Sequence, residues 1–267
     1  MFGRQKVATL VAEFLGTGIL TLVFLSVQRS SIGVPYFIAI AAGAAVAVAT
    51  FYFANISGAQ LNPAVTIALM SARRLSVLIG AVTVIAQMLG GWAAYGIYHY
   101  FVSSTLNSIG GHFSARVLLA EAVGALIIGL AYGAAYYRRL EGTNRALLVG
   151  GSYTLAIIVA AAVGIGIVNP AVAVGVRAFA FAGSMGWGTY LLGPILGAVI
   201  GLNLYWLLFS PSVEEELVGE TVVAVETIVP TTSTSSRSNR SASAKSRKTT
   251  TAKKTPSKKK TTSSRKR

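Results

Sequence analysis

Two Asn-Pro-Ala tripeptides are the part of this sequence best suited to act on a solute. Proline fits the first turn of a helix, because its missing N–H would be unpaired there anyway. An asparagine in front of it caps the helix with its side-chain carbonyl and keeps an NH2 group free to donate outward. The tripeptides are Asn62, Pro63, Ala64 and Asn169, Pro170, Ala171, at an offset of 107 residues.

Paired half-helices would make the two asparagines a binding point for neutral molecules. If the helices meet head to head, two amide donors and two positive dipole ends face one another. A neutral solute with a lone pair bonds there, whereas a cation is repelled. The alternative is that each tripeptide merely caps a loop; its duplication favours the paired arrangement.

The remaining inventory of reactive side chains is small. The chain has no cysteine, no aspartate and two histidines, and its first 209 residues contain Glu13, Glu121 and Glu141 as their only acids. Clusters of metal ligands and paired catalytic carboxylates are therefore almost excluded. We expect no metal, no cofactor and no enzymatic activity.

The elements that must position the tripeptides are membrane spans. Hydrophobic residues make up 54% of the chain and charged residues 12%, roughly half the charged share of a soluble domain. Since one span needs about 20 apolar residues, the pattern predicts six spans in residues 1–209. Two further stretches, 63–70 and 170–179, are too short to cross and are predicted to be re-entrant half-helices. The predicted spans are 7–27, 36–54, 75–98, 117–137, 146–163 and 187–209.

The two halves of this region repeat one another. An Ala-Glu pair ends at Glu13 and again at Glu121, and a Leu-Gly pair ends at Gly90 and again at Gly197, at nearly the offset of the tripeptides. Because each half has three spans, the second half is inverted in the membrane. We predict an all-α membrane protein with six transmembrane helices plus two re-entrant half-helices, and repeats at about 7–100 and 115–209.

Basic residues indicate the orientation and mark a tail. Residues 1–209 have ten Lys and Arg against three Glu, and most of these cations fall in loops on one side. We therefore expect a multi-pass integral membrane protein with both termini in the cytoplasm.

Residues 210–267 are predicted to form a cytoplasmic tail that is disordered from about residue 231. Nineteen of the 37 residues in 231–267 are Ser or Thr and none is acidic, a composition that cannot form a packed core. The tail is either a solvated extension or a contact for anionic lipid. It lacks the aromatic residues of a nucleic-acid-binding module, so nucleic acid is not an expected partner.

The segment around the first tripeptide resembles the signature of the aquaporin, or major intrinsic protein, family. Residues 57–66 read Ser-Gly-Ala-Gln-Leu-Asn-Pro-Ala-Val-Thr, and the resemblance extends over 7–209, including Gly193-Pro194 in the last span. It implies the aquaporin-like fold, one pore in each protomer and a homotetramer. It also implies that Glu13 and Glu121 brace the re-entrant segments by accepting hydrogen bonds.

The same resemblance places a four-residue selectivity filter by distance from the two asparagines. Most members have an arginine where this chain has Val172, so the filter is expected to be wider and more apolar than usual. Arg177 lies more than one helical turn further along and matches a position where glycerol-conducting members often have a basic residue. The filter positions are Ala42, Ile157, Gly166 and Val172.

These features predict a passive channel for water and small uncharged solutes such as glycerol, embedded in membrane lipids. Two alternatives stay open. A secondary transporter also uses inverted repeats and intramembrane acids, although no further acid here completes a proton relay. A non-conducting structural member of the family would have the same sequence features.

Overall fold

The computed structural model describes residues 3–30, 35–103, 112–178 and 186–209. All regular structure within these ranges is helical. All of these residues belong to one compact unit of the chain. The predicted tail, residues 210–267, lies outside the described residues.

Six long helices and two short ones follow one another along the chain. Each of the six is long and apolar enough to cross a membrane when the last is counted with the π-helical turn before it, as Gly188–Phe209, and the two short ones stand where half-helices were predicted. The predicted fold class is therefore confirmed. The helices are α1 (Arg4–Gln28), α2 (Pro35–Ser57), α3 (Pro63–Ser71), α4 (Val77–Val102), α5 (Ala115–Tyr137), α6 (Gly142–Ala160), α7 (Pro170–Gly175) and α8 (Gly193–Phe209), the last preceded by a π-helical turn (Gly188–Leu192).

Most helices begin or end a few residues from the predicted bounds; α4 spans Val77–Val102 instead of 75–98, and α7 ends at Gly175 instead of residue 179. Two further differences adjoin the re-entrant segments. Helix α2 continues three residues further, to Ser57, whose hydroxyl donates a 2.6 Å hydrogen bond to Glu13 of α1. Helix α6 ends three residues early, at Ala160. The chain then turns at Gly166, which has a left-handed φ of +71° that only glycine adopts without strain. Both ends are thus set by contacts that bring re-entrant backbone into the bundle.

Glycines bring the helices close together at their crossings. A Cβ on Gly91 of α4 would overlap the backbone of Ala171 in α7, and a Cβ on Gly197 of α8 would overlap the carbonyl of Ala122 in α5. Small residues are usual at helix crossings in membranes, because van der Waals packing drives association there. The Gly91 contact also holds the second half-helix against α4.

The outer surface of the bundle is apolar. Large side chains such as Phe51, Leu78, Leu119 and Leu207 are exposed, while the buried core consists mostly of smaller residues. A soluble monomer rarely exposes an apolar surface of this extent. Lipid is the solvent for these helices, so the chain is an integral multi-pass membrane protein.

Candidate functional site

The centre of the bundle is formed by the N-termini of the two half-helices. Asn62 and Asn169 are both fully buried, have extended backbone and precede a proline at the start of α3 and α7. The Asn62 side-chain oxygen accepts the backbone N–H of Ala64 at 2.9 Å, and the Asn169 oxygen accepts that of Ala171 at 3.0 Å. Each asparagine side chain therefore caps its half-helix through oxygen and turns its NH2 group away from the helix.

The two NH2 groups bind the opposite half of the chain. Asn62 Nδ2 donates to the carbonyl of Val168 at 2.9 Å, and Asn169 Nδ2 donates to the carbonyl of Leu61 at 2.8 Å. This reciprocal pair joins the two re-entrant segments at one level of the bundle. Because an amide NH2 has two hydrogens, each asparagine has a second donor for a further partner at this level.

Glu13 holds the first re-entrant segment. Its two carboxylate oxygens accept the N–H groups of Gln60 at 2.9 Å and Leu61 at 2.8 Å, the hydroxyl of Ser57, and Nε2 of Gln87 at 2.7 Å. Unpaired backbone donors at membrane depth would cost several kcal/mol each. A buried acid on α1 is therefore explained by the segment that it orders.

Glu121 occupies the corresponding place in the second half. One of its oxygens accepts the N–H of Ile167 at 2.8 Å, and the other accepts the N–H of Val168. Both glutamates are fully buried. Each accepts hydrogen bonds from two consecutive backbone N–H groups just before an asparagine. The Glu13 site has two additional side-chain donors, Ser57 and Gln87, so the two halves are similar but not equal.

The four residues of the expected filter are all buried. Ala42, Ile157 and Val172 belong to one apolar cluster. Gly166 lies against the Ile157 carbonyl so closely that a Cβ would have no room. The structure thus brings Ile157 and Gly166 into direct contact.

Arg177, the basic residue that follows Val172, contacts an aromatic side chain of α4. Its guanidinium lies 5.8 Å from the ring centroid of Tyr95 on α4, and the residue is exposed. Tyr95 is not one of the four filter positions. The nearest cation to Val172 along the chain therefore contacts an aromatic ring of α4.

Three polar side chains from α5 and α6 also reach the first re-entrant segment, and no spacing in the sequence connects them with it. The Tyr132 hydroxyl donates to the carbonyls of Ala59 at 2.6 Å and Gln60 at 3.1 Å. Arg145 donates to the carbonyl of Gly58 at 2.7 Å. The third is Tyr153, which lies beside the two asparagines. The feature of the sequence that could have indicated these contacts is the polarity of the three side chains, because a polar group at membrane depth needs a hydrogen-bond partner.

The sequence matches known proteins along this whole helical region. The profile of the family described as Major intrinsic protein matches residues 4–205. Aquaporin NIP1-1 of Arabidopsis thaliana is 29% identical over 217 residues, 73% of this chain and 72% of that protein. Aquaporin NIP3-1 of Zea mays is 31% identical over 207 residues, which cover 73% of this chain and 68% of the relative.

Two further matches extend the range of relatives. Bovine Aquaporin-4 is 30% identical over 185 residues, 64% of this chain and 56% of that protein. The X-ray structure of the aquaglyceroporin from Plasmodium falciparum superposes with a TM-score of 0.59 at 23% identity, covering 80% of this chain and 99% of that one. The fold, the two capped half-helices and the profile match agree: the chain belongs to the major intrinsic protein family, whose members are membrane channels and not enzymes.

Proposed function

We propose that this chain is a passive channel for small uncharged solutes, with appreciable glycerol-class permeation and modest water flux. The observation that carries the proposal is a reciprocal pair of hydrogen bonds: the side-chain NH2 groups of Asn62 and Asn169 each donate to a backbone carbonyl of the opposite re-entrant segment. Their remaining N–H groups and the two helix dipoles favour a neutral lone pair and disfavour a cation. Flux of water and a solute panel into liposomes containing the purified chain tests it.

The glycerol preference rests on the residue at position 172. An arginine there would offer fixed donors and a positive charge. Val172 offers neither, and with Ala42 and Gly166 it makes an apolar filter of small residues. Such a lining offers water few replacements for its hydrogen bonds, while a solute with a carbon skeleton loses less on leaving water. Cation exclusion then depends mainly on the asparagine pair and its two dipoles.

A secondary transporter is the second candidate function, but the carboxylates argue against it. Glu13 accepts hydrogen bonds from four residues and Glu121 from two backbone N–H groups. A proton relay needs acids that can change partners along a path, whereas both of these acids order static backbone. A non-conducting structural member is distinguished by zero flux in well-reconstituted protein.

The assembly and the topology belong to the same proposal. The apolar outer surface is the face through which four protomers would pack and through which lipid would contact the tetramer. The cations Arg73, Arg74, Arg138 and Arg139 flank spans whose ends share one side, so we place both termini in the cytoplasm. On that side the basic residues of 210–267 would contact anionic lipid.

Introducing the arginine should change the solute preference. Val172→Arg is expected to lower the glycerol-to-water permeability ratio by about tenfold, because it adds bulk and fixed donors at the filter, a change of roughly 1.4 kcal/mol in relative barrier. Both fluxes are measured in the same vesicles by light scattering. Val172→Ala, which adds neither bulk nor charge, should keep the wild-type ratio. A ratio that stays constant in Val172→Arg would remove the filter assignment.

Changing either asparagine to aspartate should impair the central site without unfolding the half-helix. Aspartate caps a helix as well as asparagine does, so the bonds to Ala64 or Ala171 survive. The donor to Val168 or Leu61 is lost, and a carboxyl group replaces it. Neutral-solute flux should fall about tenfold, the rate equivalent of one strong hydrogen bond, and cation leak should rise. Wild-type flux together with wild-type ion exclusion in both mutants contradicts the assignment.

A further inference from the structure

Four consecutive carbonyls of the first re-entrant segment are bonded to side chains of the second half of the chain. Gly58 O accepts from Arg145, Ala59 O and Gln60 O accept from Tyr132, and Leu61 O accepts from Asn169. Non-helical backbone at membrane depth is tolerated where it is buried in protein or lines an aqueous path. Carbonyls of such a segment are the acceptors that a solute hydroxyl would use in a narrow path. Here a protein donor already occupies one acceptor position on each of the four carbonyls, and Tyr132 shares its single hydroxyl hydrogen between two of them.

Tyr132 is the central member of this set. One phenol hydroxyl is 2.6 Å from Ala59 O and 3.1 Å from Gln60 O, so no molecule fits between α5 and the segment at that level. The residue is 2% exposed. These short distances join α5, in the second half of the chain, to the re-entrant segment of the first half.

Tyr153 occupies the next level, beside the asparagine pair. Its hydroxyl lies next to the side chains of Asn62 and Asn169. Tyr153 is 1% exposed, and within the described part of the chain its hydroxyl oxygen lies near Asn62 and Asn169 but makes no well-aligned hydrogen bond to either. A buried polar atom without a partner is costly. The Tyr153 hydroxyl, placed beside two amide donors, is therefore suited to hydrogen-bond a permeating solute.

We propose that Tyr132 and Tyr153 form the narrowest level of this channel and set the largest solute that passes, whereas Val172 sets the preference for glycerol over water. The inference rests on the proposed channel function and locates its size limit away from Val172, at the asparagines and the first re-entrant segment. A solute hydroxyl advances by replacing the Tyr132 hydroxyl on Ala59 O and Gln60 O. At the asparagine level it exchanges hydrogen bonds with the Tyr153 hydroxyl.

Two substitutions test the role of the Tyr132 hydroxyl and the role of the Tyr153 ring independently. Tyr132→Phe keeps the ring and frees two carbonyl acceptors, so glycerol flux should rise about fivefold, the rate equivalent of one net hydrogen bond. Tyr153→Val removes the ring beside the asparagines, so the ratio of xylitol to glycerol permeability should rise by a similar factor. Tyr52→Val, on an exposed position of α2, is the matched control and should leave both values unchanged. The full chain is reconstituted in liposomes, and the melting temperature of each variant is measured in detergent.

The outcomes distinguish this inference from the proposed function. If the wild type conducts and both tyrosine variants keep its glycerol flux and its xylitol-to-glycerol ratio, the inference fails and the channel function stands. Flux that falls in step with melting temperature indicates a purely structural role and also overturns it. No flux of any solute in the wild type and in every variant overturns both. If the wild type conducts no solute and the Tyr153→Val variant does, the inference is supported and Tyr153 closes the wild-type pore completely.

Discussion

Replacing Glu13 with alanine is expected to remove most of the folded, conducting protein. The carboxylate accepts hydrogen bonds from the Gln60 and Leu61 N–H groups, Ser57 and Gln87. Alanine leaves the buried N–H groups of Gln60 and Leu61 without an acceptor, at about 1–3 kcal/mol for each. Ser57 and Gln87 lose one hydrogen bond each but keep second acceptors, the Phe53 carbonyl and the Thr66 hydroxyl. A loss of about 4 kcal/mol or more is a large part of the stability of a typical domain. The backbone of the re-entrant segment that ends at Asn62 should then lose its ordered conformation.

Melting temperature in detergent and yield of monodisperse protein measure this effect, and solute flux follows in liposomes. Glu141→Ala is the matched control, because Glu141 is exposed at the start of α6 and its side chain makes no capping hydrogen bond. Glu121→Ala should cost less than Glu13→Ala, since Glu121 accepts from two N–H groups only. A Glu13→Ala protein with wild-type melting and flux would show that other groups hold the first segment.

Adding one methyl group at Gly91 is expected to displace the second half-helix. A Cβ at this position would overlap the backbone of Ala171, and a backbone atom cannot move aside as the end of a side chain can. Overpacking of this kind costs about 1–3 kcal/mol. Because Ala171 also donates its N–H to the Asn169 cap, the strain reaches the asparagine itself. Gly91→Ala should therefore lower the melting temperature and reduce solute flux together.

The same helix provides the control for this substitution. Gly96 lies on α4 five residues further, with nothing within 4 Å of the Cβ that alanine would add. Gly96→Ala should keep flux unchanged and be neutral or slightly stabilising, because alanine is the better helix former. Equal melting temperatures and fluxes for Gly91→Ala and Gly96→Ala would mean that α4 and α7 do not pack as described.

The apolar pattern and the duplicated motifs carry enough information to predict the fold class. Spans of about 20 apolar residues are a direct consequence of bilayer thickness, and the matched pairs at Glu13 and Glu121 indicate inverted halves. Helix ends were less predictable. Ser57 extends α2 because it reaches Glu13, and α6 stops early so that the chain can turn at Gly166. Both ends depend on partners that are distant in sequence.

The roles of the polar residues divide in the same way. Asn62 and Asn169 stand before prolines, so local chemistry alone predicts that they cap helices. Which carbonyls their NH2 groups bind, Val168 and Leu61, depends on how the two halves meet. The position of Arg177 against Tyr95 likewise depends on how α7 lies beside α4.

Local composition and repeated spacings are therefore enough to predict the membrane environment, the number of spans, the inverted repeat and the capping chemistry of the two asparagines. The contacts of Tyr132, Tyr153 and Arg145 with the first re-entrant segment and the asparagine pair follow only from how the helices pack. A lone tyrosine in an apolar helix has no period that reveals which side it faces. Its partner is fixed only when α5 and α6 pack against a backbone segment more than 70 residues earlier in the chain.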